Sequence, residues 1–229
     1  MRHSPIQIAK LLSISLVSLV IISSMANISY GQQVWEKKPY EQWTAQEVMG
    51  ILLDSPWAQL RTEPNESRDH PSIVRLRSAL PIRQALVRQK QITLNYQKFT
   101  AADKARFNSE VKEVLECSDC AKNYIVTLRA QALAGLRGLS FEQVKDFIYL
   151  ANDKGERRPL IHFIPPKPDS LEAMFVFQRF DDSGQPLITG NNKVFYFKIE
   201  DKLLENRTVP IHRFTFEVPK IIQNGQVVF

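Results

Sequence analysis

The sequence predicts an α+β fold, with a helix-rich N-terminal part followed by an antiparallel β module, either a small sandwich or an extension of an earlier sheet. Three observations carry this expectation. Helix-capping pairs precede apolar residues at helical spacing in the first two thirds of the chain. Nine of the thirteen phenylalanines lie beyond residue 160. The segments that hold eight of these nine, "LIHFI", "AMFVFQRF", "VFYFKI" and "HRFTFEV", read as strands, and the turn-forming "DDSG" (181–184) separates two of them. Composition shifts after "NDKGERRP" (152–159). The expected organisation is a signal peptide over 1–31, a helix-rich α+β region over 32–155 and an antiparallel β-rich region over 156–229.

The N-terminus has Arg2 and Lys10 with no acid, then the apolar run "LLSISLVSLVII" (11–22), then small and polar residues. That order is the layout of a cleaved secretory signal. The apolar run spans about 18 Å as a helix, short of the roughly 30 Å hydrocarbon core, so a permanent anchor is the weaker reading. Cleavage is expected after Gly31, with Ala26 as the alternative, which places the protein in the periplasm or outside the cell. Cleavage after Gly31 leaves 28 basic and 24 acidic residues, a net charge of +4. This mild excess suits solubility and does not mark a nucleic-acid binder.

Residues 32–43 read as an irregular lead-in. Thr44 and Glu47 have capping-box spacing and open a helix whose face is Val48, Ile51 and Leu52, and Pro56 stops it by Asp54 or Ser55. Residues 61–71 are polar and proline-containing, a loop. "SIVRLRSA" alternates, with Val74 and Leu76 on one face and Arg75 and Arg77 on the other. Pro81 begins a helix with Ile82, Ala85 and Leu86 inward. Thr100 caps another, with Phe107, Val111, Val114 and Leu115 inward. "YIVTL" (124–128) is a strand. Ser140 and Gln143 form a second capping box, which is expected to open a helix to about Ala151.

"WEKKPYEQW" followed by "ILLDSPWA" resembles the opening of a group of exported, uncharacterised bacterial proteins. The residues that carry the resemblance are Trp35, Lys38, Pro39, Tyr40, Trp43, Asp54, Ser55, Pro56, Trp57 and Ala58, and the closing "VPKIIQNGQVVF" is similar to that group as well. The resemblance implies an exported bacterial protein and brings no activity or catalytic residue with it.

Cys117 and Cys120 are the only cysteines. Residue 121 is alanine, which excludes the usual haem attachment. Zinc needs four ligands, and His70, His162 and His212 are distant in sequence. A thioredoxin-type thiolate wants a helix N-terminus, whereas here a helix precedes the pair and Glu116 and Asp119 add negative charge. The expected state is a structural disulfide closed after export, with an exported thiol-disulfide or metal-dependent enzyme using Cys117 and Cys120 as the alternative.

Trp35, Trp43 and Trp57 are candidates for a binding platform or for a clamp on the first helix. Arg75 and Arg77 lie in a segment, residues 70–100, without an acidic residue and are the candidate contact for an anionic partner. His162 and His212 are expected on apolar strand faces. Asn65-Glu66-Ser67 and Asn206-Arg207-Thr208 fit the glycosylation pattern, relevant only in a eukaryotic secretory pathway. No nucleophile elbow, phosphate loop, dinucleotide fingerprint or His-Glu-x-x-His occurs in the chain. No catalytic residue, metal or cofactor is therefore assigned. The expected function is a non-catalytic binding or structural domain of the bacterial cell envelope, whose partner is an envelope protein or an anionic envelope component rather than nucleic acid.

Overall fold

A computed structural model of the chain describes residues 34–61, 71–130, 133, 136–167, 169–200, 203 and 213–229. The proposed signal segment, most of the loop 61–71, His70, His212 and both glycosylation patterns lie outside them.

The fold is α+β. Its helices are α1 (Val34–Lys37), α2 (Ala45–Leu53), α3 (Leu80–Thr93), α4 (Ala101–Glu116) and α5 (Phe141–Val144). Its strands are β1 (Asp54–Ser55), β2 (Ala58–Arg61), β3 (Ser72–Leu76), β4 (Asn123–Arg129), β5 (Ile148–Asn152), β6 (Arg157–Ile164), β7 (Glu172–Gln178), β8 (Val194–Ile199), β9 (Arg213–Glu217), β10 (Ile222–Gln223) and β11 (Gln226–Val227). The first nine form one antiparallel sheet in the order β1-β2-β3-β4-β7-β6-β5-β8-β9. The C-terminal strands thus extend the earlier sheet: β7 pairs with β4 along its whole length, from Asn123↔Gln178 to Arg129↔Glu172.

The inner face follows from strand alternation. Val74 and Leu76, Val126 and Leu128, Phe175 and Phe177, Phe195 and Phe197, Phe214 and Phe216 are all buried in one core. Their rings meet across strands: Phe175 to Phe197 at 5.0 Å, Phe195 to Phe216 at 5.1 Å and Phe163 to Phe175 at 5.5 Å between centroids. Such cross-strand aromatic pairs contribute about 0.5–1.5 kcal/mol each beyond the area they bury.

The capping box at Thr44 forms as expected, with the Thr44 N–H donating to Glu47 Oε2 at 2.7 Å. α2 ends at Leu53, before Pro56, and sends Val48, Ile51 and Leu52 into the core. Thr100 Oγ1 accepts from the Asp103 N–H at 3.1 Å and starts α4, which packs Phe107 and Val111 on Val87 of α3.

Three expectations need correction. The capping box at Ser140 opens only the single turn α5; the apolar residues after it form β5, between β6 and β8. Every residue of β5 is buried, so its pattern has no strand alternation to read. His162 is exposed instead of lying on an apolar face, because the register of β6 against β7 shifts between Leu160 and His162 and reverses the alternation. The lead-in is also more ordered than expected, holding α1 and a 3₁₀ turn at Tyr40–Gln42.

Candidate functional site

The sheet curls until its two ends face each other, and there the ladder stops. β2 and β9 are joined by side chains rather than by backbone pairing. Gln59 Nε2 donates to the Thr215 carbonyl at 2.5 Å, and Arg61 Nη1 donates to the Arg213 carbonyl at 2.7 Å. Arg61 Nη2 also donates to Gln59 Oε1 at 3.4 Å, which orients the amide so that its nitrogen faces β9. The Arg61 guanidinium lies 4.6 Å from the centre of the Phe214 ring, a cation–π contact that holds it over the seam.

A cleft of about 330 Å³ occupies this seam. Its β1–β2 wall is built by the end of α2. Ser55 Oγ donates to the Ile51 carbonyl at 2.8 Å and accepts from the Trp57 N–H at 3.3 Å, so the chain leaves the helix and turns back as a two-residue hairpin. Asp54, Pro56, Leu60 and Arg61 line this side; Thr215, Glu217 and Lys220 line the other. Trp35 lies at the edge of the cleft, and its ring meets Trp57 edge-on at 4.8 Å.

The segment that follows α2 meets the C-terminal residues here. Trp57 is fully buried, and its indole N–H donates to the Val228 carbonyl at 3.0 Å. The β10–β11 hairpin, turned at Asn224 and Gly225 with φ of 48° and 76°, brings that carbonyl into place. Phe229 then packs on Tyr124 at 4.8 Å. Asp54, Ser55, Pro56 and Ala58 of "ILLDSPWA" and Lys220 of "VPKIIQNGQVVF" line one cleft.

Glu217 is paired with Lys220 at 2.7 Å, and the Ser55 hydroxyl proton is committed to a backbone carbonyl. Asp54 is an exposed carboxylate without an ion pair among the described residues. No histidine or cysteine lines the cleft. By the two-residue period of a strand, Arg213, Thr215 and Glu217 turn their backbone groups toward the seam. The carbonyls of Arg213 and Thr215 are held by side chains, so this edge of β9 has no partner strand among the described residues.

The sequence-derived candidates fall elsewhere, with one exception. Trp35 is half-buried at the cleft, whereas Trp43 and Trp57 are core residues; the Trp43 indole donates to the Lys38 carbonyl at 3.1 Å. Arg75 is a strut: Nε donates to the Leu52 carbonyl at the end of α2 (2.8 Å) and Nη1 pairs with Glu172 at 3.2 Å, with only 15% of its side chain exposed. Arg77 is half-buried beside it. Burial pulls both guanidiniums below their ordinary pKa, and Glu172 opposes the shift. Three other cations of the acid-free segment, Arg83, Arg88 and Lys90, are engaged too. Arg83 donates to the Ser78 and Leu115 carbonyls, Arg88 to the Trp43 carbonyl, and Lys90 pairs with Glu110.

Cys117 and Cys120 form a disulfide with a Cα–Cα distance of 5.3 Å. Cys117 ends α4 in the left-handed conformation (φ 45°) and Cys120 is buried in the following 3₁₀ turn. The pair therefore sits at the negative end of a helix. Sequence reasoning missed the cleft itself. Its only local signal was the tryptophan and Asp-Ser-Pro-Trp cluster, because the opposite wall comes from residues more than 150 positions away.

No family model matches the chain, and no curated protein matches it. One solved structure similar to it is the crystal structure of a protein of unknown function from Burkholderia pseudomallei K96243. The identity is 13% and the TM-score 0.39, over 71% of this chain and 78% of that one.

Proposed function

We propose that this protein is an exported, non-catalytic binding domain of the bacterial cell envelope. Its cleft between β2 and β9 holds an extended peptide segment of an envelope protein. One observation carries the reading: the open edge of β9 has its carbonyls occupied by the Gln59 and Arg61 side chains, at 2.5 and 2.7 Å, in place of a strand. An incoming strand supplies backbone donors for those carbonyls and acceptors for the N–H groups of the same edge, which is strand addition. The two side chains swing aside at small cost, since each exchanges one hydrogen bond for another. Trp35 offers an apolar contact at the edge, and Asp54 a charge for selecting the segment.

A photo-crosslinking residue in place of Leu60 tests this in intact cells. Leu60 is 42% exposed and lines the cleft. The expected result is an exported protein that forms a covalent adduct with an envelope protein from position 60, and none from the same residue in place of Glu110 on α4. A protein retained in the cytoplasm, or exported protein without an adduct from position 60, contradicts the proposal.

A further inference from the structure

The outer face of β6, β5, β8 and β9 carries a second surface. Register sets Arg157, Ala151, Tyr196 and Thr215 side by side across the four strands, and Pro159, Tyr149, Lys198 and Arg213 in the next row. Alternation turns all of these away from the phenylalanine core.

Cations cap both tyrosines. The Arg157 guanidinium lies 4.4 Å from the centre of the Tyr149 ring, with Lys198 Nζ at 5.9 Å, and Arg213 lies 3.9 Å from Tyr196. A guanidinium stacked this way has already lost much of its rotamer freedom. Arg157 and Arg213 are both exposed, and a guanidinium fork can take a phosphate in bidentate fashion. The acids on this face are engaged: Glu200 pairs with Lys198 at 3.6 Å and Glu217 with Lys220 at 2.7 Å. A hydrogen bond from Tyr149 holds the Glu200 carboxyl below its ordinary pKa, and the charges of Lys198 and Arg157 add to the effect. Arg157 and Arg213 are exposed and have no hydrogen bond or ion pair through their side chains among the described residues.

Apolar side chains continue the same face. Past Arg157, β6 carries Ile161 at 38% and Ile164 at 41% exposure, and the pairing of Ile164 with Met174 sets Ile164 on the outer side. Exposed cations alone suit any polyanion. Exposed aliphatics on the same sheet face as guanidiniums held over tyrosine rings suit a surface that offers phosphates and an apolar boundary together.

We propose that this face docks on the surface of an anionic phospholipid bilayer. Arg157 and Arg213 engage lipid phosphates, and Ile161 and Ile164 enter the headgroup boundary. The face shares β9 with the cleft, but none of the bonds across the seam enters this proposal.

Sedimentation of the protein without residues 1–31 with phospholipid vesicles tests it. Binding is expected to vesicles containing phosphatidylglycerol, to fall with added salt, and to be absent with pure phosphatidylcholine. Each basic residue near an anionic surface contributes about a fivefold gain, so Arg157→Gln with Arg213→Gln lowers the partition about 25-fold. Lys104→Gln with Lys112→Gln, on α4, removes the same charge and changes it less than about threefold, because charges beyond a Debye length are screened. Ile161→Ser with Ile164→Ser weakens binding while leaving its salt dependence in place. The salt series on the unmodified chain needs no variant to fold. Equal binding to neutral vesicles, or full binding by the Arg157/Arg213 variant, overturns the proposal. So does capture by soluble polyphosphate without capture by phosphatidylglycerol vesicles, which reassigns the face to a soluble polymer.

Discussion

Replacing Arg75 with methionine separates a structural arginine from a ligand-binding one. The variant keeps most of the aliphatic stem and removes two interactions: the bond from Nε to the Leu52 carbonyl at 2.8 Å and the pair with Glu172 at 3.2 Å. A hydrogen bond from a charged donor contributes about 1.5–3 kcal/mol. Glu172 is 38% exposed and returns to water when its partner goes, so the pair adds only about 0–1 kcal/mol. The expected loss is therefore about 2–4 kcal/mol. In a chain of this size that lowers Tm by about 5–12 °C. Arg75→Lys keeps the charge without the planar fork, cannot hold Leu52 and Glu172 together, and recovers only part of the loss. Thermal unfolding followed by circular dichroism reads all three proteins. A Tm for Arg75→Met within about 1 °C of the parent, well inside the small effects typical of surface substitutions, refutes the strut and returns Arg75 to the list of ligand contacts.

Three further predictions follow from the same geometry. Cys117→Ser with Cys120→Ser folds and loses about 2 kcal/mol or less, because the closed loop is very short; thiol counting by mass with and without reductant shows two thiols in the parent only after reduction. Burial works against ionisation of Glu47, but bonds from Lys38 and Thr44 outweigh it and hold its carboxyl below the ordinary value; the Ser183 hydroxyl and the Gln185 N–H do the same for Asp181. The unfolded chain then binds more protons, so this stability is complete above the unfolded carboxylate pKa near about 4 and is lost as pH falls through the lower folded values; Tm drops between pH 5 and 3, less so in Glu47→Gln, and a flat profile contradicts the assignment. Intact mass of the exported protein is expected to match cleavage after Gly31; a mass beginning at Asn27 moves the site, and one retaining Met1 rejects the signal.

Local chemistry was legible in the sequence wherever one short segment carried the whole signal. Thr44 with Glu47 and Thr100 mark helix starts by bonds made within a turn, Pro56 bounds a helix end by steric restriction, and all three hold in the structure. The alternating phenylalanines of β7, β8 and β9 declare their buried face in the same way. Signals that depend on a distant partner were not legible. Ile148–Asn152 is buried throughout, so only its pairing with Arg157–Pro159 and with Phe195–Ile199 makes it a strand. The register shift before His162 depends on how β6 meets β7, and alternation read from the sequence alone carries the error onward. β1 and β2 are too short for a periodic pattern. The same limit hid the site. The acid-free segment read as a charged patch because Glu172, Glu110 and the helix-end carbonyls that engage its arginines and Lys90 lie outside it or carry no sequence mark. The cations of the outer face, by contrast, are single residues on three different strands, unremarkable until register sets them side by side.

The claim that the seam takes an added strand is tested most directly by hydrogen exchange at the Thr215 and Glu217 amides, in the free protein and in the purified adduct formed from position 60. Both are expected to exchange readily in the free protein, as edge groups do, and to slow by about tenfold or more in the adduct, while the amides of Phe214 and Phe216, already inside the ladder with β8, change little. Equal exchange at Thr215 and Glu217 in the two states, with the adduct present, contradicts strand addition at this edge.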